Sequence, residues 1–318
     1  MKALVTGAGG FIGSHVVDAL IAAGAEVRGF DLREAPGANE FVVGDILEPD
    51  VLSRALSGCD AVFHLAAAYS YDRADAALME RVNVAGTKAL LDAALRGSRA
   101  RRIVHTSSCA TCGPVAGRPA TEADSPSAWE MRVAYKRTKR DGEALAIAAA
   151  GHGAEVVIVN PTTPVGPGDR RPTPTGKMVA DVARGRARAY LARSALNIVA
   201  VEDVAAGHVL AFEHGHAGQR YLLGGENMAM RDVFAAIATA SGRAAPRVPI
   251  PWSVVYAAAR ASDPAFRLLG REPKLMKLDE VRVARWPMTF DDRLARQELG
   301  YTSRPAATAL ADAARAAL

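Results

Sequence analysis

Short apolar runs alternate with helix-period segments through the first half of the chain. Apolar stretches at 2–6, 26–30, 41–43, 61–65, 102–106 and 155–160 each predict a buried strand. Between them, Ile12, Val16, Leu20 and Ala23 recur on one helical face, with Gly24 as the stop. Val82, Leu90 and Leu91 mark a second helix, and residues 135–150 a third. Strands alternating with helices predict an α/β fold, a Rossmann doubly wound parallel sheet. The pattern changes after Pro161. Residues 161–176 are rich in proline and glycine and read as a long loop. Residues 197–201 and the helix from Asp203 read as a return to the sheet. A smaller mixed α/β C-terminal substrate domain follows and ends in an alanine-rich helix. The expected division is 1–165 plus about 196–216 for the nucleotide-binding domain, with about 166–195 and 217–318 shaping the substrate region.

Composition narrows the class. The chain has 318 residues, 50% hydrophobic and 23% charged, as in ordinary globular proteins. The net charge of +5 comes from scattered residues and short clusters at 99–102 and 184–188. Without interleaved aromatics these read as solvated faces, not a nucleic-acid site. Three cysteines, Cys59, Cys109 and Cys112, point to a reducing compartment. Cys109 and Cys112 have Cys-x-x-Cys spacing but no second ligand pair, so they read as loop-lining residues, with Cys109 near substrate, and no metal is expected. The first apolar run is too short for a signal peptide and no run spans a bilayer, so a cytoplasmic protein is expected. Residues 252–269 read as a core helix of the substrate region, with a membrane-surface face as the second reading.

Gly7-x-x-Gly10-x-x-Gly13, with Phe11 and Ile12 inside it, follows the first strand and opens a helix. Glycine permits the tight turn, and the helix N-terminus favours phosphate oxygens. Asp31 ends the second strand, where a carboxylate accepts from an adenosine ribose and repels a 2′-phosphate. That favours NAD, while Arg33 leaves NADP open. Asp45, beside Ile46, is placed for the adenine amino group. Leu65, Ala66 and Ala67 let a cofactor lie against backbone. His64 reads as a packed strand residue and Asn83 as cofactor-side or as a buried brace.

Tyr135 and Lys139 stand one helical turn apart on one face. A nearby cation lowers a phenol's pKa and suits it to acid/base work, and the lysine also reaches ribose hydroxyls. Ser107 and Ser108 end the fifth strand, where the ligand crevice of such a sheet opens.

The glycine turn, Asp45, Ala66-Ala67, Asn83, Ser108, Tyr135, Lys139 and the Asn160-Pro161 step resemble, in that order, the extended short-chain dehydrogenase/reductases, the NAD-dependent epimerase/dehydratase family. The segments 160–167, 172–176, 222–227 and 278–282 are most similar to the hopanoid-associated sugar epimerase and dihydroflavonol reductase-like group. The resemblance implies Ser108 as the catalytic serine, Tyr135 as acid/base, Lys139 as its activator, Pro161 beside the cofactor, and a homodimer through helices around 75–96 and 135–150. Tyr69, Tyr71, Asn160, Lys177 and Asn197 are candidates for lining a small-molecule pocket. The chain departs from nucleotide-sugar epimerases in three places. No arginine stands just before residue 197, Arg193 being out of register. Cys112 replaces a common tyrosine, and Asp31 stands where reductases often carry a basic residue. The first expectation is an NAD(P)-dependent oxidoreductase acting on a carbonyl or secondary alcohol, with a sugar, lipid-linked or other small molecule as substrate. The second is an NAD-dependent sugar epimerase or dehydratase. A non-enzymatic NAD(P) sensor has no need of an intact Ser108, Tyr135 and Lys139 set.

Overall fold

A computed structural model describes residues 1–97, 99–100, 102–170, 172–268 and 277–318. Arg101 and Leu269, parts of the basic cluster and of the 252–269 segment, lie outside the described residues. The strands are β1 (Lys2–Thr6), β2 (Glu26–Asp31), β3 (Glu40–Val43), β4 (Ala61–His64), β5 (Arg102–Thr106), β6 (Val156–Pro161), β7 (Thr163–Val165), β8 (Ala189–Leu191), β9 (Ala195–Ala200), β10 (Arg220–Leu223), β11 (Glu226–Ala229) and β12 (Val248–Ile250). The helices are α1 (Phe11–Ala22), α2 (Pro49–Leu56), α3 (Ala76–Met79), α4 (Thr87–Gly97), α5 (Ala134–Gly151), α6 (Pro174–Ala183), α7 (Val201–His214), α8 (Met230–Ala240), α9 (Trp252–Leu268), α10 (Leu278–Val283), α11 (Arg293–Leu299) and α12 (Ala306–Ala316).

The main sheet has seven parallel strands in the order β10-β6-β5-β4-β1-β2-β3. Strand order reverses between β1 and β4, and ligands of open α/β sheets bind at such a switch point. The strands are apolar on both faces because helices cover both. Ala3, Val5, Phe63, Val104, Val157 and Val159 pack toward α1 and α7, with Val16, Leu20 and Val204. Leu4, Val62, Ile103 and Ile158 pack the other way, onto Leu52, Leu90 and Ala146.

Two sequence readings change. The segment 195–200 is a strand, but it joins a three-stranded sheet between β7 and β11 and not the large one. Arg220–Leu223, assigned to the substrate region, instead closes the large sheet beside β6. The small sheet packs with α6, α8 and α12 through Ile198, Val179, Phe234 and Leu310. The 161–176 loop holds β7 and the start of α6, leaving a shorter irregular stretch.

The core-helix reading of residues 252–269 fails. No residue of α9 whose side chain is described is buried. Among the described residues, no helix is long and apolar enough to cross a membrane.

Candidate active site

The site lies along the carboxyl ends of β1 to β6. Gly7 has φ +71°, and a Cβ there would stand 2.7 Å from the Ala66 amide nitrogen. A Cβ on Gly13 would stand 2.0 Å from the Gly7 carbonyl oxygen. Only glycine lets the turn fold this closely. α1 then starts with no side-chain cap and no acidic residue in its first turn. Its first amides, on Phe11, Ile12 and Gly13, are left as a site for an anion. The Asp31 carboxylate accepts from the Gly9 amide at 3.0 Å and from Leu32 at 2.7 Å. Arg33 is exposed. The Asp45 carboxylate accepts from the Leu47 amide at 3.0 Å, and Ile46 beside it is buried. The Leu65 and Ala66 amides both donate to the Thr6 hydroxyl at 3.2 Å, and Ala67 is exposed at the rim. A backbone cradle, an uncapped helix start and a carboxylate on the next strand together fit a dinucleotide.

Asn83 stands on a π-helical turn, Glu80–Gly86, between α3 and α4. Its side chain accepts from the Ala68 amide at 2.8 Å and donates to the Ala68 carbonyl at 3.0 Å and to Thr138 at 3.1 Å. It therefore ties the loop after β4 to α5, a bracing position. His64 is also a brace. Thr87 donates its hydroxyl proton to the Asn83 carbonyl at 2.7 Å, so it accepts from His64 Nε2 at 3.0 Å. His64 Nδ1 then accepts from Thr6 at 2.8 Å. Burial, with Lys139 nearby, pushes His64 down to about 3, so it stays neutral.

Ser108 precedes the 3₁₀ turn Cys109–Thr111, and its hydroxyl accepts from the Ala110 amide at 3.2 Å. Burial pushes the Tyr135 phenol up to about 12, with Ser108 acting the other way. Lys139, 7% exposed, donates to the Thr106 carbonyl at 2.8 Å. Burial holds it down to about 8, with Glu143 acting the other way. The expected lowering of Tyr135 by Lys139 is absent here: burial outweighs it, and the ammonium is turned to Thr106. Lys136, three residues away, is ion-paired to Glu130 at 2.5 Å and donates to the Gly113 carbonyl at 2.8 Å. One buried lysine of α5 thus has a carboxylate partner, and the other is held only by a carbonyl.

Behind Ser108 lies a frame the sequence reading missed. Glu143 accepts from Thr111 at 2.7 Å, from Asn160 at 2.7 Å and from Arg220 at 3.0 Å. Asn160 also donates to the Ser108 carbonyl at 3.1 Å. The signal was present, since Tyr135, Lys139 and Glu143 recur every four residues along α5. Asn160 is fully buried; its Nδ2 donates to Ser108, Thr111 and Glu143, and its Oδ1 has no partner among the described residues. Asn197 is equally buried. Its amide serves Thr162, Gly225, Asn227 and Phe290, so it fixes the small sheet to the segment at 290. Pro161 is buried at the end of β6. The Tyr69 ring lies against Tyr135 at 4.4 Å between centroids, and Tyr71 stands at 6.1 Å. Lys177 is exposed on α6. Its neighbour Met178 helps line a groove of about 320 Å³ with Val182, Arg186 and Phe234, which the Ser108–Tyr135 cluster does not border. Cys109 approaches the Thr162 carbonyl at 3.6 Å; burial raises it to about 12 and raises Cys112 as well, so neither is a ready thiolate.

The chain resembles known proteins along most of its length. The model of the NAD dependent epimerase/dehydratase family matches residues 3–224. A putative dihydroflavonol 4-reductase of Synechocystis is 36% identical over 97% of this chain and 92% of its own. Sterol demethylase protein B of Methylococcus capsulatus is 34% identical over 98% and 97%. Among solved structures, gox2253 superposes with a TM-score of 0.84 at 37% identity, covering 99% of this chain and 97% of that one. The dTDP-glucose 4,6-dehydratase DesIV of Streptomyces venezuelae, with NAD and TYD bound, gives 0.77 at 25% identity over 99% and 96%.

Proposed function

Because the chain belongs to the NAD dependent epimerase/dehydratase family, we propose that it interconverts a ketone and a secondary alcohol on a small molecule, with Tyr135 as acid/base. It is an enzyme of the short-chain dehydrogenase/reductase superfamily, and NAD is its cofactor. Bound in the cradle, the nicotinamide supplies or accepts the hydride. The chain's own residues do the rest. Gly7, Gly10 and the first amides of α1 hold the pyrophosphate, Asp31 the ribose, and Asp45 the adenine. The Tyr135 hydroxyl gives a proton to the substrate oxygen in reduction and takes it back in oxidation. The Ser108 hydroxyl donates to the same oxygen and steadies its developing charge. Lys139, turned from Thr106 toward the ribose and phenol, lowers the cost of the phenolate. Asn160, Glu143 and Thr111 act through Ser108 as positioning residues.

One observation carries this reading: Ser108 is tied through Asn160 to Glu143 of α5, the helix that also bears Tyr135 and buries Lys139 without a direct carboxylate contact. Reduction is favoured over internal epimerisation because named reductases match nearly the full length at 36, 32 and 30% identity, above the 25% of the dTDP-glucose 4,6-dehydratase DesIV over a similar span. The pocket would be shaped by residues 166–195 and the segments from 226 onward. Exposed Leu78, Leu95 and Ile147, on α3, α4 and α5, support a homodimer through those helices.

The test is a panel of ketones with NADH, followed by nicotinamide absorbance in the wild-type and Tyr135→Phe proteins. Turnover that disappears in the variant while NADH still binds supports the proposal. Turnover that survives in Tyr135→Phe sinks the acid/base role. Tightly held NAD that never exchanges during turnover would replace the reductase with an epimerase.

A further inference from the structure

α9 is a helix with an unusual outer face. Trp252, Val255, Tyr256, Ala259 and Asp263 recur at helical spacing and are half-buried. Trp252 stacks on Tyr256 at 4.7 Å, and its indole donates to the Val281 carbonyl at 2.7 Å. That side packs on α10. The opposite face carries Ser253, Val254, Ala257, Ala258, Arg260, Ala261 and Pro264, all exposed. A solvated helix face normally carries mixed charges. Among its described side chains this one has a single arginine, and Val254 is 57% exposed.

The apolar surface continues beyond the helix. Val248 is 57% exposed, and Pro249 and Pro251 are exposed beside it. Trp286 is 39% exposed. The Arg285 guanidinium lies over the rings of Trp252 and Trp286 at 5.6 and 5.3 Å. Arg285 thus links Trp286 to Trp252 at the start of α9.

Among the described residues of this stretch the exposed charge has one sign. From 243 to 264 the cations are Arg243, Arg247 and Arg260, all exposed. The one acid in that stretch, Asp263, faces inward within 3.7 Å of Arg73. On α10, Asp279 is buried against Arg282 and Arg73, and Glu280 accepts from the Lys277 amide. Exposed apolar side chains, aromatic rings at the margin and surrounding guanidiniums match the chemistry of a lipid interface bearing negative charge.

We propose that the outer face of α9, with residues 248–251 and Trp286, docks the protein on an anionic bilayer surface without spanning it. Val254, Val248 and Trp286 enter the headgroup layer, and Arg247, Arg260 and Arg285 meet the lipid phosphates. This holds whether or not the reductase reading does.

The test is co-sedimentation of the full chain with vesicles of phosphatidylcholine alone and of phosphatidylcholine mixed with phosphatidylglycerol. Wild-type protein should pellet with the mixed vesicles at low salt and be released as salt rises. Arg260→Glu should lower partitioning at least about fivefold, the worth of one interfacial cation. Val254→Asp should lower it further, with NADH binding and helicity unchanged in both variants. No pelleting of wild type overturns the proposal, as does pelleting equal for both vesicle types or untouched by both substitutions. A wild type that ignores vesicles, with a dimer that Val254→Asp splits, would give the face to a second copy instead.

Discussion

At the carboxyl ends of β1 to β6, buried polar groups are mostly tied to partners the fold fixes. Thr6, His64, Thr87 and Asn83 form one chain of hydrogen bonds, and Thr111, Asn160, Glu143 and Arg220 another. Around α9 the outward side chains touch little. The sheet edge needs each atom where it is, because a dinucleotide cradle fails with a shift of about an ångström. The α9 face tolerates change within the chain, because what it meets lies outside. Precision inside a molecule and chemistry on its surface leave different marks.

The strongest way to break that comparison is Tyr135→Phe. It removes one hydroxyl and leaves the ring against Tyr69. Turnover should fall about 10² to 10⁴-fold, the range for a lost general acid/base. NADH affinity and melting temperature should stay near wild type. A variant with a collapsed melting temperature would make Tyr135 a packing residue.

Gly13→Ala asks whether the cradle is as tight as it looks. The added methyl meets the Gly7 carbonyl oxygen, which is backbone and cannot swing away. NAD binding, read by fluorescence titration, should be lost. At Gly10 the nearest atom to an added Cβ is that same oxygen at 3.0 Å, so Gly10→Ala should weaken binding less. Equal effects at both sites would mean that flexibility, not contact, is what the glycines supply.

The two buried lysines sharpen the comparison inside one helix. Lys136→Met leaves Glu130 buried without its cation, which typically costs about 3–5 kcal/mol. Lys139→Met strands no carboxylate in direct contact, so stability should hold or rise while turnover falls. The pH dependence separates them further. Lys139 sits near 8 in the fold against 10.5 for an ordinary lysine. Between those values the unfolded chain binds the proton that the folded one has released, so this residue makes stability rise with pH. Below about 8 both states hold the proton, and burying the charge counts fully against folding. Urea midpoints at about pH 7 and about pH 9.5 should show that rise in wild type and lose it in Lys139→Met. An unchanged slope would move the titration elsewhere.

How much of this was legible in the sequence follows the same divide. The glycine turn, the Tyr135–Lys139 pair and the first six strands were readable because their signals are local: a turn needing glycine, a face repeating every four residues, an apolar run. Strand partnership is not local. Residues 197–201 read as a return to the sheet and the chain from about 220 as substrate region, yet an apolar run carries no mark of which sheet it joins. Asn160 and Asn197 show the limit for side chains. A buried asparagine that braces backbone has the same letter as one that meets substrate, and only its partners tell them apart. Glu143 was findable from the α5 stripe, but its partner Arg220 is 77 residues away. α9 was misread because its half-buried face has the spacing of a core helix, and periodicity does not report how deep a helix lies.

The smallest effect tests the comparison most directly. Val254→Ala removes two methyl groups from the exposed face of α9. If that face is not part of the packed interior, the change should shift stability by no more than about 0.5 kcal/mol. Leu56→Ala, at a residue 2% exposed in the layer over β1 and β4, removes a buried side chain and should cost about 2–5 kcal/mol. Denaturant midpoints for the two variants, at unchanged m-value, give the ratio. A cost at Val254 approaching that at Leu56 would mean that α9 is covered within the folded chain, and the face would then be unavailable to any lipid. Near-neutrality at Val254, with weaker vesicle pelleting by the same variant, would separate the two roles: the side chain would contribute little to folding and measurably to docking.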